Sequence, residues 1–71
     1  MYLLTQDKTK LIEFERVEIT KIFSTYTITA YGKGNGSYET AGEYKSEEEV
    51  KAEFYRIIEA LKMEQLVYEV R

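Results

Sequence analysis

A chain of 71 residues, 44% apolar and 32% charged, with no proline, cysteine, histidine or tryptophan, has the composition of one small globular domain that neither disulfides nor sulfur ligands brace. Lacking cysteine and histidine excludes thiolate nucleophiles, most zinc sites and any group that ordinarily titrates near neutrality. The remaining carboxylates, lysines, tyrosines and hydroxyls need a deeper pocket than so short a chain encloses, so a non-enzymatic role without metal or cofactor is expected.

The net charge of −3 is uneven: residues 1–35 carry five basic and four acidic side chains and residues 36–71 five basic and nine acidic ones, leaving −4 on the second half. That half resists a general grip on nucleic-acid phosphates. The start of the chain, Met1 to Asp7, has no basic, apolar signal pattern, and no apolar run approaches spanning length, so a cytoplasmic protein off the membrane is expected. With no linker, low-complexity tract or repeat, residues 1–71 read as a single domain. A core this small supplies about 3–5 kcal/mol, so association with a second copy would help it.

In chain order, Tyr2-Leu3-Leu4 reads as a short first strand, and Gln6-Asp7-Lys8-Thr9 as the turn into a second over Lys10–Phe14. Apolar residues then change phase, from even positions at Ile12 and Phe14 to odd ones at Val17 and Ile19. One extra residue near Glu15-Arg16 would restore the facing. Val17–Phe23 alternates as a third strand, and Ser24-Thr25 is a candidate tight loop into a fourth, Tyr26–Lys33. That loop would pair Ile19 with Ala30, Lys21 with Ile28 and Phe23 with Tyr26.

The glycines gather in Gly32-Lys33-Gly34-Asn35-Gly36, where Asn35-Gly36 suits a type I′ hairpin into Tyr38–Tyr44 and would pair Ala30 with Ala41, Ile28 with Glu43 and Tyr31 with Thr40. Both registers place Val17, Ile19, Phe23, Tyr26, Ile28, Ala30 and Ala41 on one face. Lys21 and Glu43 flank Ile28 there, with their charged heads at the rim.

Ser46 with Glu49 three residues on is a capping box, and Val50, Phe54, Ile57, Ile58 and Leu61 form a stripe within roughly 100° of arc. The spacing predicts a helix over about 47–63, ending near Lys62–Glu64. Gln65 to Val70 then has strand-forming composition, with no glycine or proline to mark a reversal. The fold expected is therefore α+β: an antiparallel meander of about five strands, one amphipathic helix on one face, and a short C-terminal strand-like segment.

The pattern Asp7-x-Thr9-x-x-Ile12, Val17 and Ile19, a glycine-containing hairpin, and Gly42-x-Tyr44-x-Ser46-Glu47-Glu48-Glu49 opening a terminal helix resembles a group of small uncharacterised proteins of Gram-positive bacteria and their phages. The likeness covers roughly residues 3–62. It implies a meander plus helix and carries no known activity or site residues, and the strand-like tail is an addition to the pattern.

Most apparent motifs have simpler readings. Consecutive Glu47, Glu48 and Glu49 point about 100° apart on a helix and cannot converge on one ion, so they read as a solvated first turn. The glycine-rich run leads into a strand and lacks the helix N-terminus that holds phosphate. Asp7 with Lys8 reads as a charged turn.

Two candidates remain. The face away from the helix is expected to carry Tyr31, Lys33, Tyr38 and Tyr44, large rings with polar tips that suit a protein interface or, alternatively, stacking on unpaired bases of a single-stranded nucleic acid. Leu66, Val67, Tyr68 and Val70 are the candidate homodimer segment, adding to a partner's sheet edge or exchanging with it. An intramolecular strand is the competing arrangement.

Overall fold

The computed structural model describes residues 1–32 and 37–71 as an α+β fold. Its elements are β1 (Tyr2–Leu4), β2 (Leu11–Ile22), β3 (Thr25–Gly32), β4 (Tyr38–Tyr44), α1 (Glu47–Lys62) and β5 (Val67–Glu69). The sheet order is β4-β3-β2-β1-β5, antiparallel throughout except for the parallel β1–β5 pair, so it is a mixed sheet of five strands with one helix.

The two segments expected on either side of Glu15 are one long strand, β2. Its register slips between Phe14 and Arg16, the extra residue that the change of apolar phase requires. The β2–β3 register is two residues shorter than Ser24-Thr25 predicts. Ile19 faces Ile28, Lys21 faces Tyr26 and Ile22 faces Thr25, so Phe23-Ser24 is the loop, with Phe23 at φ 56°. A two-residue slip preserves the faces. Phe23 itself leaves the apolar face for the turn.

The β3–β4 register also differs from expectation. Tyr31 faces Tyr38, Ala30 faces Glu39 and Thr29 faces Thr40, whereas Ile28 faces Gly42 and Tyr26 faces Tyr44, with Ala41 as the extra residue. Ala30 and Ala41 are both buried as expected, although they are not cross-strand partners. Glu43 pairs with Thr27 and Lys21 with Tyr26, so neither flanks Ile28. The hairpin loop expected at Asn35-Gly36 lies outside the described residues.

A backbone bond from Gln6 N–H to the Ala41 carbonyl, 2.7 Å, joins the segment after β1 to β4. In a flat sheet strands three places apart would sit about 14 Å from each other, so the sheet curls strongly on itself. The Gln6 side chain repeats the link: its Oε1 accepts from Glu43 N–H at 2.9 Å, and its Nε2 donates to the Arg71 carbonyl at 3.2 Å. The helix closes the hollow. Leu3, Ile12, Ile28, Ala30, Ala41, Tyr44, Val50, Ile57 and Val70 form the core.

Ser46 Oγ accepts from Glu49 N–H at 3.1 Å, the first half of the expected capping box. The buried side of α1 runs through Val50, Glu53, Ile57 and Ala60, turned from the predicted stripe; Leu61 is exposed. The reversal after α1 needs no glycine. Glu64 takes φ 56°, and Gln65 N–H returns to the Ala60 carbonyl at 3.1 Å. The tail then runs back along its own sheet, pairing Tyr2 with Val67, Leu3 with Tyr68 and Leu4 with Glu69. Among the described residues no helix is long and apolar enough to cross a membrane.

Candidate functional site

The bulge at Glu15 decides what shares a face with the tyrosines. Beyond it Arg16 pairs with Tyr31 and Glu18 with Thr29, while on the other side Tyr31 pairs with Tyr38. The Arg16 guanidinium stacks 4.1 Å from the Tyr31 ring centroid, and the Tyr31 and Tyr38 rings lie 5.8 Å apart, tilted by 42°. Glu18 fixes the group: it accepts from the Tyr31 hydroxyl at 2.9 Å with one oxygen and pairs with Arg16 Nε at 3.5 Å with the other. Beside it Thr29 Oγ1 donates to Thr20 Oγ1, and Thr27 Oγ1 to the Thr20 carbonyl, so hydroxyls floor the platform. Tyr31 is half-buried and Tyr38 67% exposed, the arrangement of an anchored ring beside a free one.

Of the four residues expected on this face, the structure brings Tyr31 and Tyr38 together, and Lys33 lies outside the described residues. Tyr44 belongs elsewhere. The Ala41 bulge reverses the phase of β4, so Gly42 and Tyr44 face inward. The Tyr44 ring lies back across Gly42, where a Cβ would stand 2.5 Å from the phenol oxygen. The Tyr44 hydroxyl donates to the Arg71 carbonyl at 2.8 Å, and burial, with the nearby Glu53 charge, pushes its pKa well above that of a free tyrosine. Arg16 and Glu18 are not among the expected site residues, although the even positions they share with Thr20 put both on this face in either register; the true register only moves Arg16 opposite Tyr31.

The C-terminal segment divides in the same way. Tyr68 and Val70 point into the fold, whereas Leu66 is 75% and Val67 45% exposed, at or beside the outer strand of the sheet. What anchors this segment is a side chain that sequence periodicity does not reveal. Glu53, 1% exposed, accepts from the Tyr68 hydroxyl at 2.9 Å and the Arg71 N–H at 2.8 Å, and pairs with Arg56 at 2.6 Å. Three donors compensate the buried carboxylate, as burial of a charge demands. Burial and the bond to Glu53 push the Tyr68 pKa up to about 12.

The remaining charged motifs serve the scaffold. Asp7 Oδ1 accepts from the Thr9 hydroxyl, the Thr5 hydroxyl and the Thr9 N–H, which hold its pKa down at about 2. Lys8 pairs with Glu69 at 2.6 Å, tying the turn to β5. Glu47 pairs with Lys51, and all three first-turn glutamates are exposed. Among the described residues no cluster of three acidic side chains could hold a metal.

Fold and surface together define a small curled-sheet domain with an Arg–Tyr–Tyr platform on one face. The chain matches no protein-family model, no curated protein and no solved structure.

Proposed function

We propose that this chain is a non-enzymatic protein-interaction module that associates with itself, serving as an accessory or regulatory product of a phage or mobile element. The last clause rests on the motif resemblance alone. The observation that carries the rest is apolar exposure. Nine large hydrophobic side chains stand exposed among the described residues, and Met63, Leu66 and Val67 concentrate at the end of α1 and on the uncovered β5 edge. Large apolar side chains left exposed at one end of so small a domain favour a partner's place there. A sheet edge without a covering element favours a second copy, because a strand edge is its own complement under twofold symmetry.

Sedimentation velocity from low to high micromolar concentration tests the reading. The wild-type chain should self-associate, and Leu66→Lys and Val67→Lys should weaken that association while leaving the circular dichroism spectrum unchanged. A wild-type chain that stays monomeric throughout overturns it.

The Arg16–Tyr31–Tyr38 platform supports a second protein contact. Tyrosine and arginine dominate binding hot spots, and Glu18 holds these in place before any partner arrives. Single-stranded nucleic acid is the competing occupant of the same face. Glu18 and Glu39, which pair with Arg16 and Lys10, offset the positive charge beside the rings and favour protein. Titration with single-stranded DNA and RNA at two salt concentrations separates them: salt-sensitive binding lost in Tyr31→Ala and Tyr38→Ala would transfer the platform to nucleic acid.

A further inference from the structure

The outer edge of β5 presents unbonded backbone groups at two residues. In the parallel pair with β1, Tyr2 N–H donates to the Leu66 carbonyl and Val70 N–H to the Leu4 carbonyl, so the groups that face β1 are those of Leu66, Tyr68 and Val70. The N–H and C=O of Val67 and of Glu69 therefore point away from the sheet, and nothing among the described residues bonds them. Both ends of this short edge are closed from within. Gln65 N–H donates to the Ala60 carbonyl, Arg71 N–H donates to Glu53, and the Arg71 carbonyl accepts from Tyr44 and Gln6. At the other margin of the sheet, Gln6 takes the Ala41 carbonyl and the Glu43 N–H of β4.

We propose that two copies join antiparallel at this edge in one register, with Val67 of each opposite Glu69 of the other and the twofold axis beside Tyr68. This rests on the reading that the chain self-associates through β5, and it names the pairing. Residues can exchange bonds only where their groups point outward, so a twofold pair can set Val67 against Glu69, Val67 against itself or Glu69 against itself. The first satisfies the N–H and C=O of both residues in both copies.

The other two registers fail on bonds already made. Val67 against itself sets Glu69 opposite Gln65, whose N–H is held by Ala60, and leaves the Glu69 carbonyl unpaired. Glu69 against itself sets Val67 opposite Arg71, whose N–H and carbonyl are both engaged, and brings two carboxylates face to face. In the favoured register Glu69 keeps Lys8 at 2.6 Å, so no lone charge enters the contact, and Val67, 45% exposed, lies against the aliphatic stem of Glu69. With Gln6 holding β4 at Ala41 and Glu43, the assembly closes as a dimer.

The chain contains no cysteine, so introduced cysteines report the register without interference. Val67→Cys, Glu69→Cys and an equimolar mixture of the two are oxidised at a concentration where sedimentation velocity shows the wild type associated, with circular dichroism confirming the fold of each variant. Directly opposed residues lie about 5.5 Å apart between Cα atoms, within disulfide reach, whereas diagonal ones stand roughly 7–8 Å apart, beyond it. The mixture should give a covalent dimer holding one chain of each kind, identified by intact mass, and each variant alone should stay unlinked. Either variant linking to itself as fast as the mixture links overturns the register and leaves self-association standing. So does the absence of any linked product while the wild type associates. A monomeric wild type overturns both.

Discussion

Single residues set the local geometry in places where the sequence carries no conventional signal. Glu64 turns the chain back at φ 56°, a position at the end of a helix that usually belongs to glycine. The left-handed conformation costs an L-residue roughly 1–2 kcal/mol and glycine's extra freedom costs about 0.5–1 kcal/mol, so Glu64→Gly should stabilise the fold by up to about 1 kcal/mol in urea denaturation. No gain would mean that the Glu64 side chain contributes something the backbone argument omits. Asp7 works through charge. Hydrogen bonds from Thr9 and Thr5 depress its pKa to about 2, below the ordinary value of about 3.9, so its contribution is present above that ordinary value and lost as pH falls through about 2. Asp7→Asn should flatten the stability profile between those two values.

At the scale of elements, the two bulges explain what the sequence conveyed and what it withheld. The Glu15 bulge was legible because apolar residues on both sides of it report the change of phase: Ile12 and Phe14, then Val17 and Ile19. The Ala41 bulge was not. Glu39, Thr40, Gly42 and Glu43 carry no apolar side chain to mark the slip, so alternation alone puts Tyr44 on the wrong face. The helix, its cap and its end were readable from the capping box and the 3.6-residue period, whereas Glu53 was hidden because a glutamate in a helix reads as solvated until its donors are known. Ala41 supplies the test of this layer. It is 1% exposed within the core, so Ala41→Leu should overpack the site and cost about 1–3 kcal/mol. A neutral effect on the unfolding midpoint would place Ala41 outside the packed hollow and the β4 bulge at another residue.

For the molecule as a whole, the decisive junction is the buried carboxylate of Glu53, where the helix, β5 and the C-terminal backbone meet. Tyr68 and the Arg71 N–H donate to Glu53, while the Arg71 carbonyl accepts from Tyr44 and Gln6, so α1, β4, the first turn and the tail close on one point. Removing the carboxylate takes the acceptor from three donors at once; Arg56, its side chain 47% exposed, turns to water, which leaves Tyr68 and the Arg71 N–H orphaned. At about 1–3 kcal/mol for each unsatisfied group, Glu53→Ala should cost about 3 kcal/mol, comparable with everything a core of this size contributes. The same junction sets the alkaline limit. Tyr68 titrates near 12 and Tyr44 is also raised, each chiefly by burial, so their neutral forms stabilise the fold fully below the ordinary tyrosine value of about 10. That stability is lost as pH rises through the raised values. Spectrophotometric titration of the seven tyrosines should therefore show two phenols ionising late, together with loss of the native circular dichroism signal. In Tyr44→Phe/Tyr68→Phe the late phase should vanish. A wild-type chain with no late phase would place Tyr44 and Tyr68 in water, and the tail away from Glu53.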